Sequence, residues 1–253
     1  MSSGVKFFIA AALLFFLHAA NARDIHILIL QEGVSADCNA KVFDAVDGVY
    51  QISLDGEEVP ARAPFFWANC LEGDVFLPLG QAMIKSGMAE RVIFMPIGTR
   101  GTSVRDWLVG GRAYEAMKLA LKKANDKNIN FDYVLWKGDF VDAKFPESRY
   151  QNDVQKILKE VKLSAKTEKF IISKSVSCNV NGGGYENTYR WDPLYKRFPG
   201  PDIGKLASKY YINECNLNDL GKKEIVQLWL HAIKKANIDN ERYQKESLLY
   251  YFK

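Results

Sequence analysis

Histidine is scarce in this sequence. The 253 residues contain three histidines, His18, His26 and His231, and four cysteines, none of which forms a Cys-x-x-Cys pair. Structural zinc sites are built from cysteine and histidine ligands, two of them usually a few residues apart. The sequence therefore argues against a zinc site, and we expect neither a metal ion nor a cofactor.

A surplus of charge of one sign is also absent. The net charge is +4, and the charges are spread evenly along the chain. Nucleic-acid-binding domains carry a strong basic patch or stripe. We therefore expect no nucleic acid partner. A composition of 48% hydrophobic and 25% charged residues is ordinary for a folded domain.

Long apolar runs are missing except at the amino terminus. Lys6 precedes the run FFIAAALLFFLHAA, which ends in Ala20-Asn21-Ala22. This pattern predicts a signal peptide over residues 1–22, cleaved after Ala22, and one domain over residues 23–253. A membrane anchor is the alternative, but the run is shorter than the roughly 20 residues that span a bilayer. We expect a secreted protein, periplasmic or extracellular, with no membrane span after cleavage.

An exported chain permits disulfide bonds. The four cysteines, Cys38, Cys70, Cys178 and Cys215, allow two bonds and three connectivities. Pairing of neighbours in sequence would join Cys38 to Cys70 and Cys178 to Cys215. The sequence leaves the connectivity open.

Apolar runs and helical periodicity alternate along the chain. Four runs have the length and composition of buried strands: 25–30, 91–97, 131–136 and 170–173. Three segments place apolar residues at helical spacing: 113–124, 150–161 and 220–236. This order predicts an α/β protein, a three-layer αβα sandwich with a central parallel sheet. Ligands bind beyond the carboxyl ends of such strands, so the functional residues are expected in the loops that follow them.

Two of these loops have features of a site. Ser35 follows Gly33 and Val34 after the first strand, where a serine could act as a nucleophile or could cap the next helix. After the second strand, residues 98–107 combine glycines, hydroxyls and Trp107. They could line a pocket, or they could form a tight turn and a helix cap with Trp107 in the core.

The run Gly101–Trp107 resembles the GGTSI-x-x-W block of the sialate O-acetylesterase-like carbohydrate esterases, a branch of the SGNH hydrolases. Three further blocks agree in order. Residues 33–36 lie where that family has GQSN, residues 135–143 match the frame of LWHQGExDA, and residues 217–221 follow the position of DxxH. The resemblance extends from about residue 25 to about residue 236, and it implies an SGNH or flavodoxin-like fold.

The resemblance implies Ser35 as nucleophile, with backbone and side-chain groups that hold an oxyanion. The positions that would form the oxyanion hole and cleft are Gly33, Arg100, Gly101, Thr102, Gly138 and Asp139. The chain departs from the pattern in four places. Val34 and Ala36 replace the Gln and Asn that flank the nucleophile. The first glycine of GGTS is Arg100, the family's His-Gln-Gly-Glu run is replaced by residues 137–140, and the catalytic Asp and His positions hold Asn213 and Asn216.

Asparagine has no basic site that could accept a proton from serine. We therefore predict a secreted, non-catalytic protein that binds a carbohydrate or an acetylated glycan. Trp107, Tyr185 and Trp191 are the candidate ligand-binding aromatics, and the amide- and glycine-rich loop over residues 177–191 could equally be a plain surface loop. Two alternatives stay open: an active O-acetylesterase with an unconventional base, and a scaffold subunit that binds an extracellular protein partner.

Overall fold

The computed structural model describes residues 23–31, 45–68, 75–138, 146–173, 196–203, 206–212 and 217–251. For Glu147 and for residues 247–251 it describes the backbone alone. In these ranges no helix combines the length and the hydropathy needed to cross a membrane.

A seven-stranded sheet forms the centre of the fold, in the order β3-β2-β4-β1-β5-β6-β7. Neighbouring strands run parallel except β2 and β3, which are antiparallel. The strands are β1 (Asp24–Gln31), β2 (Val49–Ile52), β3 (Glu58–Pro60), β4 (Arg91–Gly98), β5 (Asn130–Lys137), β6 (Lys166–Ile172) and β7 (Arg197–Pro199). All four predicted strands are present, and β2, β3 and β7 are additional.

Helices cover both faces of the sheet. They are α1 (Phe76–Lys85), α2 (Arg112–Asp126), α3 (Glu147–Ser164) and α4 (Asp219–Tyr251). Successive residues of a strand point to opposite faces. Ile27 and Ile29 of β1 belong to the core that contains α1 and α4, whereas Leu28 and Leu30 belong to the core that contains α2 and α3. The three-layer αβα class predicted from the sequence is confirmed.

The chain leaves β1 toward one side of the sheet and returns to build the other side from β5 onward. Without the edge strands β2 and β3, the order β4-β1-β5-β6-β7 is the doubly wound order of flavodoxin-like folds. The topological switch point lies between β1 and β5, whose last residues Gln31 and Lys137 are register partners. Ligands of such sheets bind outside the carboxyl ends of the strands at this point.

Candidate functional site

A row of buried polar residues lies at the switch point. Gln31 ends β1, Lys137 ends β5 and Ser173 directly follows β6. Their exposed fractions are 3%, 2% and 2%. Together with Gly98, the last residue of β4 and the other register partner of Gln31, they form what we name the carboxyl-edge floor.

The floor follows runs of apolar residues in β1, β4, β5 and β6. By the alternation along each strand, Gln31 and Lys137 continue the face of Ile29 and Leu135, which packs toward α1 and α4. Burial of polar side chains costs free energy unless their hydrogen bonds are made. Four polar or glycine positions side by side at a switch point are therefore typical of a site rather than of a core.

The backbone of the floor is held by local hydrogen bonds. The Gly138 N–H donates to the Ser173 hydroxyl at 3.2 Å, and the Ser173 N–H donates to the Trp136 carbonyl at 2.9 Å. The resemblance placed Gly138 among the groups that hold an oxyanion. Its N–H is already committed to Ser173, so an oxyanion would have to compete with that hydroxyl.

The loop after β4 is folded around Asp106. Its carboxylate accepts hydrogen bonds from the Ser103 N–H at 2.8 Å, the Ser103 hydroxyl at 3.0 Å and Arg112 Nε at 3.1 Å. Arg112 Nη2 also donates to the Gly101 carbonyl at 2.8 Å. Burial acts to raise the pKa of Asp106, but the hydrogen bonds from Ser103 and Arg112 outweigh it and hold the pKa below its ordinary value.

Hydrogen bonds within the protein occupy polar groups of this loop that the sequence predicted as ligand contacts. Thr102 is fully buried and its hydroxyl donates to the Thr99 carbonyl at 2.7 Å. Arg100 and Gly101 are exposed, and Gly101 has a φ of 68°, which a glycine adopts without strain. The structure thus shows a tight turn with a capped helical turn, and a ligand contact by Arg100, Gly101 or Thr102 stays a prediction.

Trp107 lies in the core. Its side chain has no exposed area and meets Trp136 edge to face, with 5.7 Å between ring centroids. Trp136 in turn donates its indole N–H to the Tyr150 hydroxyl at 2.9 Å. Of the two roles predicted for Trp107, its position agrees with a place in the core. A direct contact with a ligand would require the cluster of Trp107, Trp136 and Tyr150 to open.

The block before α4 is ordered around Asn218. Its side-chain oxygen accepts the Gly221 N–H at 2.9 Å and so caps α4, and its Nδ2 donates to the Lys209 carbonyl at 2.7 Å. A methyl group at Gly221 would lie 2.3 Å from the Tyr210 carbonyl oxygen. Asn218 and Gly221 therefore have a structural role, because they hold the start of α4 close to the segment that precedes it.

Neither described histidine lies at the floor. His26 is the third residue of β1 and its Nε2 lies 2.9 Å from Glu58 Oε1. Five residues of strand separate His26 from Gln31, or about 16 Å. His231 is exposed on α4. It lies twelve residues after Asp219, the first residue of the helix, which is a distance of about 18 Å along the helix axis.

Several predicted positions lie outside the described residues. They are Gly33, Ser35, Asp139, Tyr185, Trp191, Asn213 and Asn216, together with the four cysteines and the signal peptide. Their assignments stay predictions. Sequence reasoning did not select Gln31, Lys137 and Ser173 as site residues. Gln31 and Lys137 carried a signal, because each places a polar side chain directly after a run of apolar residues.

A groove of about 660 Å³ lies elsewhere, between α1 and α4. Apolar residues such as Leu77, Ala82 and Val226 line it, and Lys85 and Lys223 lie at its border. It runs along two helices and not across the ends of strands. We therefore do not count it as part of the candidate site.

The fold, a mostly parallel sheet between helices, is similar to that of a GDSL-like lipase. No family model and no curated protein matches the sequence. A crystal structure from Arabidopsis thaliana matches with a TM-score of 0.58 at 18% identity, over 85% of this chain and 98% of that chain. A protein from Parabacteroides merdae described as a GDSL-like lipase matches with a TM-score of 0.50 at 13% identity, over 84% and 97%. Likeness at these identities establishes the fold alone.

Proposed function

We propose that this chain binds an acylated carbohydrate, such as an acetylated glycan, at the carboxyl edge of its sheet, and does not hydrolyse it through a Ser-His-Asp triad. One observation carries the proposal. The carboxyl-edge floor keeps buried polar groups at the switch point of a hydrolase-like fold. His26 lies about 16 Å from Gln31 along β1, and His231 lies about 18 Å along α4 from its first residue.

The floor offers groups that suit a sugar. Gln31 brings an amide that donates and accepts, Lys137 brings an amine that donates, and Ser173 brings a hydroxyl. A few polar groups in an otherwise apolar site fix the orientation of a ligand and supply specificity. These groups bind hydroxyl and carbonyl oxygens, and both occur in acetylated sugars.

The residues at the family's triad positions argue against turnover. The resemblance makes Ser35 the nucleophile, and a serine hydroxyl reacts slowly at neutral pH without a base that takes its proton. Asn213 and Asn216 stand where the resemblance places the acid and the base. Removal of one member of a triad costs several orders of magnitude in rate, and here two positions are changed together.

The test combines binding and turnover. Calorimetry with acetylated and deacetylated forms of one glycan should show preference for the acetylated form. Hydrolysis of 4-nitrophenyl acetate and of an acetylated sugar should not differ between the native chain and Ser35→Ala. Ser35-dependent turnover by the native chain would overturn the non-catalytic assignment. Absence of both binding and turnover would favour the scaffold hypothesis.

A second candidate is an active O-acetylesterase, and Lys137 favours it. Lys137 is 2% exposed and ends β5, in register with Gln31, which precedes Ser35 by four residues. A lysine in such a place can replace histidine as the base of a serine nucleophile. Turnover lost in both Ser35→Ala and Lys137→Met would support it. Turnover gained only in Asn213→Asp with Asn216→His would support the non-catalytic function.

Export is part of the proposal and has its own test. Amino-terminal sequencing of the mature protein should begin at Arg23, and mass spectrometry of unreduced peptides should reveal the cysteine pairs. Retention of residues 1–22 in the mature chain would contradict the expected cleavage.

A further inference from the structure

A short segment beside β4, Phe65–Ala68, extends the sheet past its carboxyl edge. The Gly98 N–H donates to the Trp67 carbonyl at 3.2 Å, and Ala68 forms a parallel bridge with Gly98. A methyl group at Gly98 would lie 3.7 Å from Gln31 Cβ and 3.9 Å from Ala68 Cα. Gly98 therefore joins this segment to the carboxyl-edge floor.

The segment is held in place by a buried glutamine. Gln51 is 1% exposed, accepts the Phe66 N–H at 3.1 Å and donates to the Arg62 carbonyl at 3.3 Å. The Trp67 indole N–H donates to the Ser53 carbonyl at 3.2 Å. The polar atom of Trp67 is thus used within the protein, and what the side chain can offer to a ligand is its apolar ring.

Trp67 is partly exposed and packs against the core that contains α2 and α3. Phe66 beside it is 44% exposed. The floor side chains Gln31 and Lys137 point to the other face of the sheet. A ligand that touches Trp67 and the floor must therefore cross the edge of the sheet over Gly98, which has no side chain to obstruct it.

We propose that Trp67 is an aromatic platform for one sugar ring of the ligand, and that the ligand is an oligosaccharide rather than a single sugar. The inference rests on the proposed binding function and adds the class of ligand. A rigid aromatic ring that is already oriented stacks on the apolar face of a sugar at little entropic cost.

The preference for length follows from the spacing of strands. Ala68, Gly98, Gln31 and Lys137 occupy four neighbouring positions across the edge. At about 4.8 Å per step, the distance from Ala68 to Lys137 is about 14 Å. A six-membered ring built from bonds of about 1.5 Å spans about 3 Å between opposite ring atoms, so one ring cannot reach both ends.

The test measures Kd by calorimetry for O-acetylated glucose, cellobiose and cellotetraose. The native chain should bind the tetrasaccharide more tightly than glucose. Trp67→Ala should raise the Kd of the tetrasaccharide about tenfold, which corresponds to about 1.4 kcal/mol for the lost aromatic contact, and should remove most of the dependence on length. Trp67→Phe keeps a ring and should stay within about threefold of native.

Leu54→Ala is the matched control, because Leu54 is 53% exposed and lies on the β2–β3 hairpin. It should bind like the native chain. Thermal unfolding of each variant separates lost binding from lost structure. Native Kd values in a folded Trp67→Ala would overturn the platform and leave the binding function standing. No binding by the native chain to any member of the series would overturn both.

Discussion

The polar residues at the two ends of the central sheet differ in their partners and in their burial. At the amino edge, charges neutralise one another: Arg91 Nη1 binds Asp24 at 2.6 Å, its Nη2 binds Glu58, and its guanidinium lies 4.3 Å from the Tyr50 ring centroid. His26 completes this cluster through Glu58. At the carboxyl edge, Gln31, Lys137 and Ser173 are buried next to glycines.

The difference indicates what each edge is for. Half-exposed ion pairs contribute little and can be exchanged without great loss, so the amino edge has the character of a solvated rim. A buried polar row is costly to maintain, and proteins break the pattern of an apolar strand mainly where function requires it. We expect the carboxyl edge to tolerate change poorly and the amino edge to tolerate it well.

The largest effect is expected for Gly221→Ala at the start of α4. The added methyl group would lie 2.3 Å from the Tyr210 carbonyl oxygen, so α4 and the segment before it must separate. Overpacking of this kind typically costs about 1–3 kcal/mol, and backbone contact places it at the upper end. Urea unfolding measures the loss. Leu220→Ala is the control, since Leu220 is 60% exposed and should change stability by less than about 1 kcal/mol.

An intermediate effect is expected for Asp106→Asn in the loop after β4. The change keeps the shape but removes the charge that pairs with Arg112, and we expect a loss of about 1–2 kcal/mol at neutral pH. Because the pKa of Asp106 is lowered in the folded chain, its contribution is present above the unfolded value near 4 and disappears as the pH falls through the folded value. The difference in unfolding free energy between native and variant chains should be smaller at pH 3 than at pH 7. An equal difference at the two pH values would contradict a role of the charge.

The sequence predicted the centre of the fold because β1, β4, β5 and β6 each contain a run of apolar residues. The strands β2, β3 and β7 have four, three and three residues, too few to show a period. Helix α1 was missed because Pro78 and Gly80 interrupt it. Pro78 stands in the first turn, where proline is tolerated, and a methyl group at Gly80 would lie 2.9 Å from Phe94.

The location of the candidate site could be predicted from the sequence, but the contacts of its residues could not. The order of strands and loops pointed to the carboxyl edge, where the floor lies. The roles of Thr102 and Trp107 were not decided, because a buried capped turn and a pocket use the same residue types. Trp67 carried no local signal, since Ser53 and Gln51, which hold its segment, are 14 or more residues distant in the chain.

The smallest effect is expected for Glu58→Gln at the amino edge. Burial acts to raise the pKa of Glu58, but the hydrogen bonds and charges of His26 and Arg91 outweigh it and lower the pKa, so the contribution is present at neutral pH and lost in acid. The side chain is 33% exposed, and we expect a loss of stability below about 1 kcal/mol.

Urea unfolding at low salt and at 1 M salt tests the comparison of the two edges. Glu58 has charged partners, so salt should remove its contribution, whereas Asp106 keeps the neutral donors of Ser103 and should keep part of its own. An equal response of the two carboxylates to salt would remove the electrostatic contrast between the edges.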